Sequence, residues 1–357
     1  MNAVAWFKFI SLLLIDLTAL CGNLIMLAVA TRNTSLRKFQ NAFIFNMAFA
    51  DLLDAVFIMP SALINIWHGG WVYAETTCDI FAVMKVTVTL VSVYSLSGIS
   101  LQRYFYIVKS TKKLNSYSSA TIGIATVWIL SIFLSVTPFL NWGIFGFEDG
   151  KEVCTVLFHL TPSHTLTVFM TGLVLNAMIM LFCYGMIFQT LLRSQRRTRS
   201  KKYRKCGDSL KPNELVTNNN TNYLPEKLRV EQTNDNPANT VLYELKVHNI
   251  STESIKSNTP RELPLKYSIY KTLSSAREQR LLKTIAVVIV VFLCCWTPYV
   301  VFNLVRAYHK IEDINSVDTI TMWLGFANSA ANPLIYGLLN KQFKTAMKNV
   351  VRCKHSK

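Results

Sequence analysis

Seven long apolar runs, separated by short polar segments, are the feature that most constrains this chain. Each run has roughly 20 residues or more, which is enough to cross about 30 Å of hydrocarbon. The first run is too long for a secretory signal peptide and lacks a cleavage pattern, so we interpret it as a retained span. We predict an all-α integral membrane protein with a seven-transmembrane helix bundle, whose spans are residues 4–31, 41–67, 75–108, 119–140, 162–192, 276–306 and 315–339.

Charge is segregated along the chain, which has 51% hydrophobic residues, 16% charged residues and a net charge of +17. Lys and Arg concentrate in alternate connections, and basic residues stay on the cytoplasmic side of a membrane. We therefore expect a multi-pass protein of the plasma membrane with an extracellular N-terminus and a cytoplasmic C-terminus. The basic run after the fifth span predicts a contact with anionic membrane lipids or a G protein, and no nucleic acid is expected.

Composition divides the rest of the chain. Residues 1–340 form the predicted transmembrane domain, which is interrupted by residues 191–275, rich in Asn, Thr, Ser, Lys and Glu. This segment is predicted to be a long disordered cytoplasmic loop. Residues 341–357 form an amphipathic helix and a short C-terminal tail. Cys353 in that tail is a candidate for palmitoylation, and a free cytosolic thiol is the alternative.

Two of the eight cysteines lie on the outer side under this topology. Cys78 is at the outer end of the third span, and Cys154 is in the outer loop after the fourth. A disulfide persists on the oxidising side of the membrane. We therefore expect Cys78 and Cys154 to pair.

Several short motifs follow one another in a fixed order along the spans. They are Gly22-Asn23, Asn46 to Leu52, Trp71, Cys78, Gln102-Arg103-Tyr104, Trp128, Pro138, Tyr184, Cys295-Trp296-Thr297-Pro298, Asn332-Pro333-Leu334-Ile335-Tyr336 and Phe343. Together they resemble the rhodopsin-like G-protein-coupled receptors over nearly the whole chain outside the third inner loop. The resemblance implies a receptor and not an enzyme. Its implied partners are a heterotrimeric G protein, arrestin and receptor kinases.

The resemblance also implies roles in activation. Pro298 and Pro333 each remove a backbone hydrogen bond and kink a helix, although prolines in membrane helices also serve packing alone. Trp296 lies beside the first kink as a toggle, and Tyr336 lies beside the second as an inner latch; Tyr184 belongs to the same set.

Arg103, followed by Tyr104, takes the position of the family's arginine that contacts the G protein. The residue before that arginine is usually acidic and restrains it by a charged hydrogen bond, whereas here it is the neutral Gln102. Glu278 matches the family's second partner for the arginine. With one of two restraints missing, we predict elevated basal signalling.

Asp51 is an ionisable residue at bilayer depth, which costs roughly 2.5–3.5 kcal/mol on insertion scales unless it has a partner or a function. The resemblance implies an allosteric sodium ion here, and no other cofactor is expected. A hydrogen-bonded structural aspartate without an ion is the alternative. The implied oxygen ligands are Asp51, Ser92, Asn328, Ser329 and Asn332.

The seventh span is similar to that of the amine-receptor subgroup, yet one residue contradicts an amine ligand. Amine receptors carry an aspartate in the third span at the position of Lys85. Two like charges about 4 Å apart repel by about 4 kcal/mol at an effective dielectric of about 20, a loss of roughly a thousandfold in affinity. Val168 and Gly172 also replace the serines of catecholamine receptors. We therefore expect another small molecule or short peptide as the ligand.

Lys85 has two interpretations. It anchors an anionic or carbonyl-bearing ligand, or it forms an internal salt bridge with Asp54, one turn from Asp51. Asn176 replaces the usual proline of the fifth span, which leaves the bulge that shapes the pocket there in doubt. The predicted pocket comprises Lys85, Asp54, Thr89, Phe169, Trp296, Tyr299, Asn303, Trp323 and Phe326.

Two alternatives belong to other classes of protein. An opsin holds retinal through a lysine in the seventh span, where this chain has Phe326, so a Schiff base would require relocation to Lys85 with Asp54 as counter-ion. A transporter would be favoured by inverted repeats or discontinuous helices, and we see neither in the sequence. An enzyme is not predicted, because we find no phosphate-binding glycine loop, zinc-spaced cluster or nucleophile elbow.

Overall fold

Seven long helices, one short helix and a small hairpin make up the part of the chain that the structure describes. The computed structural model describes residues 2–37, 39–109, 116–208, 263–309 and 315–352, and for residues 40, 194–208 and 263–282 it describes the backbone only. The elements are α1 (Ala3–Arg32), α2 (Ala42–His68), α3 (Glu75–Lys109), α4 (Tyr117–Ser135), β1 (Phe145–Glu148), β2 (Val153–Val156), α5 (from Pro162 to Asp208), α6 (Leu263–His309), α7 (Asn315–Leu339) and α8 (Lys341–Val351).

Polar side chains and glycine fix several helix ends. The Asn2 side chain accepts a hydrogen bond from the backbone N–H of Ala5 at 2.8 Å, and Ser116 and Asn340 cap α4 and α8 in the same way. Each cap satisfies a backbone donor that the first turn of a helix leaves unpaired. At the C-terminal end of α2, Gly69 adopts φ 78°, a left-handed conformation that glycine tolerates best.

Among the described residues, six helices are long and apolar enough to cross a membrane: α1 to α5 and the part of α6 from Lys283 to His309. The 25 residues of α7 are more polar, because this helix buries Asp318, Asn328 and Asn332 in the interior. Its outward residues Ile320 and Leu338 are 61% and 69% exposed. A bundle with polar groups inside and apolar groups outside is the arrangement that a bilayer requires.

Close backbone approaches and buried amides join the helices. A Cβ atom on Gly22 of α1 would lie 2.5 Å from the Pro333 ring of α7, so a larger residue there would force the two helices apart. Asn23 donates to the Ser329 carbonyl at 3.1 Å across the same contact. Asn46 of α2 donates to Ser95 of α3 at 2.9 Å. These contacts explain why small and amide residues stand at these positions of the motifs.

A π-helical turn ends α3 at Phe105–Lys109, and two more lie inside other described helices. One covers Asp54–Ile58 in α2, just before Pro60, which cannot donate a backbone hydrogen bond. The other covers Met170–Val174 in α5, where the sequence left a bulge in doubt. The side chain of Asn176 donates to the carbonyls of Thr171 and Gly172 at 2.7 and 2.8 Å. The amide thus satisfies backbone acceptors at the bulge, so the bulge forms without a proline.

The prediction of a disordered loop over residues 191–275 is wrong for its two ends, which are helical. Its first part continues α5 to Asp208, and its last part begins α6 at Leu263. The first end is rich in Arg and Lys, and the second contains Leu and Lys; these residues favour a helix even without apolar periodicity. Residues 209–262 lie outside the described residues.

Candidate ligand cavity and signalling elements

The β1–β2 hairpin is attached to α3 and α7 at the end of the bundle that the basic residues predict to be extracellular. This end is called the outer end below, and the opposite end the inner end. The predicted disulfide is present, with the Cα atoms of Cys78 in α3 and Cys154 in β2 5.3 Å apart. At the tip of the hairpin, Thr319 of α7 donates to the Gly150 carbonyl at 2.7 Å. The strands pair in antiparallel register, and every residue of β2 is buried. The hairpin is therefore packed as part of the core.

Below the hairpin lies a cavity of about 60 Å³ between α3, α5, α6 and α7. Five of the predicted pocket residues line it. The remaining walls are almost entirely apolar. The lining residues are Lys85, Val86, Thr89, Leu90, Val93, Thr155, Phe158, Val168, Phe169, Gly172, Leu173, Phe292, Trp296, Tyr299, Val300 and Met322.

Four predicted pocket residues lie outside the cavity lining. Asp54 and Phe326 contact Lys85 from behind the cavity wall. The indole N–H of Trp323 donates to Ser11 of α1 at 2.9 Å, which turns this side chain away. Asn303 faces the tip of the hairpin. Sequence positions placed all four on the correct helices, but their side-chain directions depend on these contacts.

Two lining residues from the hairpin region, Thr155 and Phe158, did not appear in the sequence prediction. The Phe158 ring lies 4.7 Å from the Phe169 ring and 6.4 Å from the Tyr299 ring, measured between centroids. Phe158 follows the disulfide residue Cys154 by four positions, and the disulfide holds this segment against α3. That spacing is the signal from which these two residues were predictable.

Lys85 and Asp54 form a buried ion pair beside the cavity. The Lys85 Nζ atom lies 3.0 Å from Asp54 Oδ1 and 3.4 Å from Oδ2, and the residues are 3% and 4% exposed. The same nitrogen lies 4.2 Å from the centroid of the Phe326 ring, a favourable cation–π contact. An ammonium group has three donors, so an ion-paired Lys85 still has hydrogen-bonding capacity for an acceptor in the cavity.

Asp51 is held by two hydrogen bonds. Ser92 donates to its Oδ1 atom at 2.7 Å, and the Asn332 amide donates to its Oδ2 atom at 2.8 Å. A void of about 10 Å³ is lined by Asp51, Ser92 and Ser329, and also by Asp54. Of the predicted sodium ligands, Asn328 and Asn332 do not line this void. The lining nevertheless offers carboxylate and hydroxyl oxygens in a space of about one water molecule, which fits a small hard cation.

At the inner end of α3, Gln102 and Arg103 are both buried. Gln102 donates from Nε2 to the Phe39 carbonyl at 2.9 Å. Arg103 donates from Nη2 to Asn41 Oδ1 at 3.5 Å. The Gln102 side chain is therefore engaged by the first inner loop. Tyr104 packs against Phe105, with ring centroids 5.3 Å apart.

Two further predicted activation residues, Tyr184 and Tyr336, lie in or beside the apolar core. Tyr184 packs against that core, and the fully buried ring of Tyr336 lies 5.5 Å from Phe343 of α8. Pro298 and Pro333 are inside continuous helices. The side chain of Glu278 and the whole of Cys353 lie outside the described residues, so both assignments stay predictions.

A second buried ionic cluster lies above the cavity, where the hairpin meets α6 and α7. Its members among the described residues are two cations, Lys151 and Arg306, and two carboxylates, Glu148 and Asp318. Burial raises the pKa of Glu148, but the opposing effects of Lys151, His159 and Arg306 outweigh it and lower the pKa to about 2. Burial likewise lowers the pKa of Lys151, and its interactions with Tyr299, Glu148 and Asp318 outweigh it and raise the pKa. The cluster is thus charged, with Lys151 and Arg306 paired to Glu148 and Asp318.

A bundle of seven helices with a hairpin at its outer end, a cavity below the hairpin and a buried arginine at the inner end is typical of a membrane receptor. The model of the 7 transmembrane receptor (rhodopsin family) matches residues 22–336. The chain belongs to this family of G-protein-coupled receptors, so it is a receptor and not an enzyme, and the predicted fold class is confirmed.

Individual relatives give the same picture. A tyramine receptor of Caenorhabditis elegans is 27% identical over 386 residues, covering 95% of this chain and 82% of the relative. The octopamine receptor beta-2R of Chilo suppressalis is 26% identical over 352 residues, covering 96% of this chain and 78% of that receptor. Squid rhodopsin matches in structure with a TM-score of 0.73 and 19% identity, covering 100% of this chain and 89% of that chain. The similarity to amine receptors predicted from the seventh span is confirmed.

Proposed function

We propose that this receptor, at the plasma membrane with its N-terminus outside, activates a heterotrimeric G protein in response to a ligand other than a simple monoamine. The observation that supports this is the Lys85 ammonium in the cavity wall, at the position where amine receptors carry an aspartate. Tyramine and octopamine, which the two relatives are named for, each carry an ammonium group. The Lys85 charge taken alone would repel such a group about 4 Å away by about 4 kcal/mol at an effective dielectric of about 20. Asp54 offsets part of this repulsion, but it is paired with Lys85 and so does not replace the aspartate of the amine receptors.

The ligand group that Lys85 favours is an acceptor. Asp54 already neutralises the lysine at 3.0 Å, so a carboxylate would compete with Asp54, whereas a carbonyl oxygen would accept from the remaining N–H. The apolar rings of Phe158, Phe169 and Trp296 would bury the rest of the ligand. The proposed ligand is therefore an aromatic or aliphatic molecule with a carbonyl or anionic group.

Binding of such a ligand requires the cavity to expand. Its volume is about 60 Å³, whereas sites for drug-sized ligands have about 300 Å³ or more. Trp296 lies in the cavity wall two residues before Pro298, where the helix lacks a backbone hydrogen bond. Displacement of Trp296 would therefore be transmitted along α6, which is weakened at Pro298. The inner end would then open around Arg103, for the G protein first and for arrestin after phosphorylation by receptor kinases.

We also propose the void beside Asp51 as the site of an allosteric sodium ion. Asp51, Ser92 and Ser329 would hold the ion, and Asn332 would orient Asp51 from the opposite side. The ion would supply a positive charge to a buried carboxylate and would stabilise the inactive bundle. Asp54 shares the void, and it is already paired with the Lys85 ammonium. The retinal-binding and transporter alternatives are not proposed, since the sequence relatives are amine receptors.

The test is nucleotide exchange on a panel of G proteins by the receptor in nanodiscs. Wild type would be compared with Arg103→Ala and Lys85→Asp, and Lys8→Ala would serve as a control for a lysine outside the cavity. The ligands are tyramine, octopamine and the phenolic acid in which a carboxylate replaces the ammonium group of tyramine. We expect wild type not to respond to the amines, Lys85→Asp to gain that response, and Arg103→Ala to lose exchange.

Two results would contradict the proposal. If wild type responds to tyramine and Lys85→Asp does not improve the response, Lys85 does not exclude amines. If Arg103→Ala exchanges nucleotide as well as wild type does, the inner end proposed for G-protein contact is wrong.

A further inference from the structure

The side chain of Lys151, at the tip of the outer hairpin, is completely buried. Its Nζ atom lies 2.5 Å from Glu148 Oε2, 2.9 Å from Asn303 Oδ1 and 3.6 Å from Asp318 Oδ1. The nitrogen is also 5.0 Å from the centroid of the Tyr299 ring. A loop lysine normally extends into water, because burying an ammonium group is costly unless it is fully paired. This lysine is instead inserted between two helices.

The helices hold their side of this contact in place without Lys151. The Asn303 amide nitrogen donates to the Tyr299 carbonyl at 2.8 Å, which leaves its oxygen directed at the lysine. Asp318 accepts from Arg306 at 3.0 and 3.2 Å. An amide oxygen, a carboxylate and an aromatic face are the groups that recognise an ammonium ion. These groups are positioned by α6 and α7, so the arrangement is a binding site for an ammonium group.

The charges around Lys151 also favour a cation at this position. Among the described residues, Lys151 and Arg306 are the cations that face Glu148 and Asp318. Removing Lys151 takes one of these positive charges away from two carboxylates in a buried space. A buried, uncompensated charge is strongly unfavourable, so the site then favours uptake of a cation.

We propose that Tyr299, Asn303 and Asp318 form an outer subsite for a primary alkylammonium group, and that Lys151 occupies it as an intramolecular ligand. The subsite lies directly above the cavity, because Tyr299 belongs to both. The hairpin thereby closes the cavity at its outer side. A ligand with an ammonium group on an unbranched chain would compete with Lys151 for the subsite. This inference goes beyond the proposed function, since Lys85 disfavours an ammonium group deeper in the cavity.

Chemical rescue tests the proposal independently of signalling. Lys151→Ala removes three carbons and one nitrogen, which n-propylammonium replaces. The measurement is the melting temperature of the full-length receptor in nanodiscs, with n-propylammonium chloride, with n-propanol as the uncharged match, and with sodium chloride at equal ionic strength. We expect Lys151→Ala to melt several degrees below wild type and n-propylammonium alone to restore at least half of the loss.

Two further variants act as controls. Lys151→Met fills the space without the charge, so it should melt below wild type and should not respond to the amine. Lys8→Ala removes another ion pair of the hairpin, 2.9 Å from Glu152, and should not be rescued either. If Lys151→Ala is recovered only when amine is present during purification, the yield with amine against propanol becomes the measure.

The proposal is overturned if n-propanol restores Lys151→Ala as well as the amine does, or if the amine raises the melting temperature of wild type equally. It is also overturned if Lys151→Ala is as stable as wild type. Because thermal stability is measured without a G protein, failure here would leave the proposed function untouched.

Discussion

The ammonium group of Lys85 in α3 lies 3.0 Å from the carboxylate of Asp54 in α2, and both side chains are buried in the bundle. The pair occupies the region where an amine receptor would use a single aspartate of the third span. Its two charges cancel within the protein. The proposed preference for a ligand other than a simple monoamine depends on this pair.

Removing one member of this pair should destabilise the receptor. Asp54→Asn leaves the Lys85 ammonium buried without its carboxylate, and breaking a buried pair costs about 3–5 kcal/mol. The double variant Lys85→Met with Asp54→Leu removes both charges and should recover most of that loss. Thermal unfolding in nanodiscs measures the cycle. Strictly additive effects of Lys85→Met and Asp54→Leu would show that the two side chains do not interact.

Sodium should stabilise the receptor through Asp51. We expect sodium chloride to raise the melting temperature more than N-methylglucamine chloride at equal ionic strength, because the void beside Asp51 admits only a small cation. Asp51→Asn should abolish the difference while keeping the side-chain shape. The control is Asp16→Asn, which changes a buried carboxyl of α1 outside the lining of that void. If sodium raises the melting temperature of Asp51→Asn as much as that of wild type, Asp51 does not bind the ion.

Basal signalling should fall when position 102 becomes acidic. The Gln102 side chain donates to the Phe39 carbonyl at 2.9 Å and supplies no negative charge beside Arg103. Gln102→Asp would supply that charge and restrain the arginine in the inactive state. We expect severalfold lower ligand-independent nucleotide exchange. Gln102→Asn is the matched neutral control, and an equal decrease in both variants would point to loss of the Phe39 contact instead.

The buried ionic cluster around Glu148 should stabilise the receptor equally at neutral pH and in mild acid. This contribution should be lost in strong acid. The pKa of Glu148 is lowered from 4.5 to about 2. A lowered pKa adds stability above the ordinary value, and this stability is lost as the pH falls from 4.5 towards 2. We expect the melting temperature of wild type to exceed that of Glu148→Gln by a constant amount from pH 7 to pH 5. This difference in melting temperature should shrink below pH 4.5. If it already shrinks near pH 6, the effect belongs to another group, such as His159.

Much of this receptor was predictable from local patterns. The apolar runs predicted the helices, because a bilayer leaves backbone groups no partner outside the helix itself. The positions of Cys78 and Cys154 predicted their disulfide, because both lie on the oxidising side. The Lys85–Asp54 contact was one of two interpretations of the sequence, and it is present in the structure.

Other features escaped the sequence. Asn303 was predicted in the ligand pocket but faces Lys151, because the direction of a side chain depends on which loop packs over the helix. The π turn at Met170–Val174 forms without a proline, since the Asn176 amide satisfies the carbonyls there. The contact of Asn303 with Lys151 joins residues 152 apart in the chain, whereas those of Asn176 span four and five residues. The motifs of the sequence indicate neither contact.

The sequence by itself determined the class of protein, the number of helices and the unusual charge at Lys85, because hydropathy and short motifs act within a single span. Only the tertiary structure decided which charges neutralise one another. Lys151 and Asp318 are 167 residues apart in the chain and 3.6 Å apart in space. Such pairs form when a loop folds back over helices that are distant in sequence, and Coulomb energy depends on distance in space rather than on separation along the chain.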